Sequence, residues 1–258
     1  MAADSSSSRN DGLRELAQPT SYRKNQGCFM KLLKRILYGK HSKISYSQLA
    51  EDILIESIFG ALNIHKPFYI DIGAHAPVYL SNTYLFYRKG CRGVCIEPNP
   101  HLYKNIQKKR KYDICLNMGV GISSAKEASF YIMSSSTLST FSKEDAERMA
   151  SYGKEKIENI ITVPLISFDE VVKKYLLTCP NLISLDVEGL DLAILKTIDF
   201  SIYRPEVFCV ETLTYTEDNF EEKITSTIDF MLSKGYIIYA DTYVNTIFVD
   251  KAAWVARK

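Results

Sequence analysis

The feature that most restricts this chain is a rhythm that begins near residue 67: short apolar runs alternate with segments whose apolar residues recur at helical spacing. Phe68 to Asp71 reads as a strand, a helix follows from about Ser81 to Gly90, and Gly93 to Glu97 is the next strand. Asn99 then stands as an N-cap with Pro100 at the first helical position, where a missing N–H costs nothing. The helix it opens holds Leu102 and Ile106, and Asp113 to Met118 is a third strand. After an interruption, Ser167 and Glu170 make a capping box, and Asn181 to Asp186 is a nearly all-apolar strand. Leu190 to Ile198 reads as a helix and Glu206 to Glu211 as a strand. Ile224, Ile228, Met231 and Leu232 mark a helix closed by Gly235, and strands Tyr236 to Asp241 and Thr246 to Asp250 flank a short turn. Such alternation requires parallel strands joined by right-handed crossovers. The expected fold is α/β, a doubly wound and mostly parallel sheet that ends in an antiparallel hairpin.

A length of 258 residues suits one large α/β domain with a peripheral segment. Residues 1–28, polar and serine-rich at Ser5 to Ser8, are expected to form a disordered tail without a secretory leader. Residues 29–65 are expected to be a helical extension. Within it, Phe29 to Leu37 is basic and amphipathic, and docking on the main domain is favoured over weak membrane-surface contact by residues 29–40. Ser45 and Gln48 match a capping box for a helix over about 46–60, whose acidic face carries Glu51, Asp52 and Glu56; Gln48, Glu51 and Asp52 are expected on a solvated helix face rather than as a lid over a ligand. The main domain covers 66–258. Residues 121–160 interrupt it as a substrate-loop insertion with a strand-like Ala128 to Met133, a hydroxyl-rich Ser134 to Thr140 and a charged helix opened by Ser142.

Composition excludes several classes. A net charge of +2 gives the whole chain no drive toward nucleic acid, and the basic run Lys104 to Lys111 is expected on a solvated helix face. The six cysteines show neither a CxxC pair nor zinc spacing, which points to a reducing, cytoplasmic setting without disulfides. No run reaches the roughly 18 apolar residues of a spanning helix. Oligomeric state is not legible.

In a doubly wound sheet a ligand belongs at the carboxyl ends of the strands. Asp71, Glu97, Asn117, Asp186 and Glu211 all stand at such ends, where an unpaired carboxylate is costly. The first turn supplies Gly73 for tightness and Ala74 for close approach, but not a full GxGxxG. An acid before that glycine would repel a pyrophosphate and would suit the ammonium and sulfonium of S-adenosylmethionine. Glu97 is placed to accept from ribose hydroxyls.

Taken in order, Ser47-Gln48 with Glu51-Asp52, Tyr69 to His75, Ser81-Asn-Thr83, Gly93 to Pro98, Ser139-Thr-Phe141, Asp186-Val-Glu-Gly189 and Asn245 to Phe248 resemble FkbM-type methyltransferases over roughly residues 45–250. The resemblance implies a class I, Rossmann-like methyltransferase fold with a seven-stranded sheet and S-adenosylmethionine as methyl donor. It also implies a hydroxyl acceptor on a sugar, glycan or natural product, and adds Ser81 and Asn82 to the cofactor set. Ala76-Pro77 departs from it, replacing the second glycine of the common turn.

Asp186, Glu188, Glu211 and His75 form the expected catalytic cluster, with His75, Asp186 or Glu188 as base for a hydroxyl acceptor. Asp186, Glu188 and Glu211 are also hard-oxygen donors suited to Mg²⁺, but without a histidine or a spacing signature no metal is predicted. The bland alternatives are helix-capping by Asp186, a first-turn dipole role for Glu188 and a hydrogen-bonded turn histidine. The competing functions are a NAD-dependent oxidoreductase and a degenerate fold acting as a binding module. RNA methylation finds no support, because the basic residues do not interleave with aromatics.

Overall fold

A computed structural model describes residues 39, 42–213 and 222–257. The expected tail and the segment 29–38 lie outside the described residues. The described residues from 44 onward belong to one compact unit, and Gly39, Ser42 and Lys43 fall outside it.

Helix α1 (Glu51–Ala61) precedes strand β1 (Phe68–Ile72), α2 (Tyr84–Arg88), β2 (Arg92–Ile96), α3 (Pro100–Lys109) and β3 (Ile114–Leu116). Then come β4 (Gly119–Val120), β5 (Glu127–Met133), α4 (Lys143–Ser151), β6 (Ile157–Ile166) and α5 (Phe168–Val171). The second half holds β7 (Leu182–Leu185), α6 (Asp191–Thr197), β8 (Val207–Glu211), α7 (Thr225–Ser233), β9 (Tyr236–Asp241), β10 (Asn245–Asp250) and α8 (Lys251–Ala256).

The main sheet has seven strands in the order β3-β2-β1-β7-β8-β10-β9. The pairs from β3 to β8 are parallel, and β10 runs antiparallel between β8 and β9. This is the doubly wound sheet with a reversed hairpin that the periodicity predicts. Its order changes direction between β1 and β7, which puts the topological switch point there. Both faces are covered. Ile70, Ile72, Ile183, Leu185 and Phe208 pack on one side, while Tyr69, Leu182, Cys209 and Ile247 meet Ile55, Ile58 and Phe59 of α1 on the other.

Three local signals form as read: Asn99 accepts from the His101 amide with Pro100 at N1, Ser142 caps α4, and Ser167 with Glu170 closes a reciprocal capping box. The Ser45–Gln48 capping box does not form. Helix α1 starts at Glu51 behind Ala50, which takes a left-handed φ of 68°, and the Ser45 and Ser47 hydroxyls instead donate to Asp52 at 2.6 and 3.0 Å. The solvated acidic face is a second correction, since Glu51 and Asp52 are fully buried. Asp52 ties down the chain leading into α1, and Glu51 accepts from Thr242 Oγ1 and Asn245 Nδ2.

A small second sheet, β4-β6-β5, was not anticipated as a unit. Its long strand β6 carries Pro164, which breaks the ladder signal in the sequence. The proline is tolerated because β4 pairs only with Leu165 and Ile166, so no neighbour on that side needs the missing N–H. Among the described residues no helix is long and apolar enough to cross a membrane.

Candidate active site

A cleft of about 310 Å³ opens beyond the carboxyl ends of β1, β2, β7 and β8. Backbone hydrogen bonds carry the main ladder past the strand ends and set the floor of the cleft. Gly73 and Ala74 donate to Ile96, Glu97 donates to Leu116, and Asp186 donates to Ile72, all at 3.0–3.1 Å. The small sheet supplies a wall through Phe130, and the turn after β5 brings Ser136, Thr137 and Ser139 to the same opening.

At one end the cleft is apolar, with Ile96, Pro98, Leu102, Met118 and Val120 around Glu97. The Glu97 carboxylate is buried and accepts the Asn99 and His75 amides, each at 2.8 Å. Burial nevertheless pushes its pKa up to about 7, against the lowering effect of those two amides. Asn117, behind it, donates its amide to the carbonyls of Glu97 and Pro98 and does not line the cleft.

The opposite end is acidic. Asp186, Glu188 and Glu211 all line the cleft, and one oxygen from each lies within 4.8 Å of the others. Burial raises all three pKa values, to about 6 for Asp186, and mutual charge repulsion adds to the elevation of Glu188 and Glu211. Asp186 itself opens onto the cleft, so water there moderates the effect of the surrounding protein walls. Glu188 reaches the group through a turn, with a left-handed φ of 51°, rather than through strand alternation. The Thr140 hydroxyl clamps that turn by donating to the Glu188 carbonyl at 3.1 Å. Helix α6 is capped by Leu190 without a side-chain bond, so Asp186 is not its cap.

His75 also lines the cleft in a left-handed conformation, φ 44°, and its Nε2 lies 3.0 Å from Ser136 Oγ. Burial lowers its pKa, which keeps the ring neutral. With Leu80 (φ 58°), three non-glycine residues in this costly region of backbone space face one cleft.

Of the sequence-predicted cofactor residues, Gly73, Asn82, Glu97 and Asp186 line the cleft. Asn82 is aimed by its bond to Ser184. Asp71, Ala74, Ser81 and Asn117 do not line it. Asp71 faces the other way, accepting from Thr83 Oγ1 at 2.5 Å and pairing with Arg110 at 3.5 Å. Ser81 accepts from Tyr84 N and from Arg110, and Ala74 packs with Cys95 and Ile106. Arg110 corrects the reading of its basic run as a solvated face: it is completely buried, bonded to Asp113 at 2.8 Å and close to the Tyr69 ring. Two residues read as surface or left aside, Gln48 and Asn245, line the cleft. The sequence signal that ties them to the cleft is membership in the motifs that carry the family resemblance.

This sheet order, with a cleft at the switch point, defines the class I methyltransferase architecture. The chain belongs to the family of the methyltransferase FkbM domain, which matches residues 71–238. No curated protein sequence matches it. Among solved structures it is similar to a TehB-like SAM-dependent methyltransferase from Corynebacterium glutamicum, with 8% identity over 90% of this chain and 100% of that one and a TM-score of 0.41. An O-methyltransferase from Bacillus cereus in complex with SAH matches with 9% identity over 92% and 93%, TM-score 0.41. A 1,6-didemethyltoxoflavin-N1-methyltransferase from Burkholderia thailandensis matches with 10% identity over 93% of each chain, TM-score 0.39.

Proposed function

We propose that this protein transfers a methyl group from S-adenosylmethionine to a hydroxyl of a small molecule or glycan. The observation that carries the reading is the polarity of the cleft, apolar around Glu97 at one end and acidic at Asp186, Glu188 and Glu211 at the other. A nucleoside fits the first end, its base against Ile96, Pro98 and Leu102 and its ribose hydroxyls on Glu97. The sulfonium and ammonium of the donor suit the second end, where the carboxylates make cationic ligands favourable.

Transfer itself needs alignment more than chemistry from the protein. The acceptor oxygen attacks the methyl carbon, the C–O bond forms as the C–S bond breaks, and the electron pair of that bond stays on sulfur. The hydroxyl proton must leave, and Asp186 is the group for it: it is open to the cleft and, with a pKa of about 6, ionised at neutral pH. His75 and Ser136, bonded to each other across the opening, bracket the acceptor. The hydroxyl-rich turn from Ser136 to Ser139 suits a polyhydroxylated acceptor, which is the basis for preferring one.

Isothermal titration of the purified chain with S-adenosylmethionine tests the donor half, with micromolar affinity expected. A folded sample that binds none at millimolar ligand would overturn the reading. Transfer of labelled methyl from the donor to a panel of polyhydroxylated acceptors tests the second half. Label appearing only on amine acceptors would replace O-methylation by N-methylation.

A further inference from the structure

We infer that Asp186, Glu188 and Glu211, joined by the Oδ1 of Asn245, form a binding site for a hard divalent cation of the Mg²⁺, Mn²⁺ or Ca²⁺ kind. Two independent observations meet here. The first is the convergence of three carboxylate oxygens within 4.8 Å of one another, a spread that one cation with metal–oxygen bonds of roughly 2.4 Å can span. Among the described residues no lysine, arginine or histidine forms an ion pair with any of the three. Among the described residues these carboxyl groups thus have no cationic partner, only each other: Asp186 and Glu211 are hydrogen-bonded together.

The second observation is an amide oxygen with nothing to accept from. Asn245 lines the same cleft, is only 4% exposed, and stands directly opposite Glu211 in the β8–β10 ladder. Cross-strand partners share a face of the sheet with Cβ atoms about 5 Å apart, so its side chain neighbours that of Glu211. Its Nδ2 donates to the buried Glu51 carboxylate at 3.0 Å, which fixes the amide orientation and turns the oxygen away from Glu51. That Oδ1 is buried without a hydrogen-bond partner. An orphaned buried acceptor is costly, and a cation beside Glu211 is the ligand that satisfies it and the carboxylates together.

Three carboxylates and an amide oxygen, with no sulfur or imidazole, select hard cations over zinc or copper. A cation held by one oxygen from each carboxylate leaves open coordination positions toward the cleft. Only its role depends on the methyl-transfer reading: there it takes the acceptor oxygen and lowers the pKa of that hydroxyl.

Mn²⁺ titration of the full chain, followed by the electron paramagnetic resonance signal of free Mn²⁺, tests the binding directly. One Mn²⁺ per chain is expected, displaced by excess Mg²⁺ or Ca²⁺. Glu188→Gln and Glu211→Gln should each weaken it at least tenfold, and Asn245→Ala severalfold. Far-UV circular dichroism and a thermal melt certify that each variant is folded, and S-adenosylmethionine affinity of the wild-type chain in EDTA reports separately on the donor site. Donor binding by a wild-type chain that leaves free Mn²⁺ unchanged up to millimolar concentration overturns the cation site alone. Mn²⁺ affinity equal in wild type and both folded glutamine variants also overturns it.

Discussion

A Cβ placed on Gly73 would stand 1.8 Å from the backbone carbonyl oxygen of Asp186, in a residue whose φ is +78°. The turn after β1 and the end of β7 are thus in backbone contact, and that contact sets the Asp186 carboxylate beside the donor end of the cleft.

Gly73→Ala is therefore expected to be severe. Left-handed backbone costs an ordinary residue ~1–2 kcal/mol and overpacking ~1–3 kcal/mol more. A thermal melt should show a large drop in Tm, together with loss of S-adenosylmethionine binding in any protein that remains folded. Wild-type affinity in the variant would refute the contact.

The elevated pKa of Glu97, about 7 against an ordinary 4.5, gives a pH dependence of definite sign. Below about pH 4.5 the carboxyl is protonated in both folded and unfolded chains, and its contribution is fully favourable. Between 4.5 and about 7 the unfolded chain ionises first, so stability from this group declines as pH rises. Donor affinity runs the other way, because the ionised carboxylate is the better acceptor for ribose hydroxyls. Titrations from pH 6 to 8 should show affinity rising with pH, and Glu97→Gln should flatten the rise and weaken binding ~10-fold.

Asp186→Asn should lower kcat by ~100-fold or more and weaken donor binding by a much smaller factor, since it removes the proton acceptor but only one of three carboxylates facing the donor's cationic groups. Steady-state methyl transfer beside a binding titration separates the two effects. Equal kcat would remove Asp186 from the proton transfer.

Arg110→Met should cost ~3–5 kcal/mol in urea denaturation, because it strands Asp71 and Asp113 in the interior without their cation. The same substitution tests the burial of Asp71, whose pKa is raised by desolvation despite Arg110 and Thr83. A change below 1 kcal/mol would contradict the network.

The parallel sheet was legible because each strand and helix announces its own period locally, and because Asn99, Ser142 and Ser167 cap the helices they precede. The placement of Glu97, Asp186 and Glu211 on one cleft followed from strand order, whereas Glu188 reaches it only through its left-handed turn. What escaped depends on long-range partners. Arg110 looks like the solvated lysines beside it until Asp71, 39 residues earlier, is brought against it. Glu51 and Asp52 read as surface because the donors that justify burying Glu51 lie at Thr242 and Asn245. Asp71 seemed to share a rim with Glu97, yet strand alternation turns it to the α1 face with Tyr69.

The bond from Asn245 to Glu51 joins residues 194 positions apart. During synthesis the nucleoside half of the cleft, built from residues before 121, leaves the ribosome long before β10 does. A chain that stops short of β10 therefore leaves the Glu51 carboxylate without the Asn245 amide it accepts from, so the acidic end of the cleft is complete only once the last strand is in place.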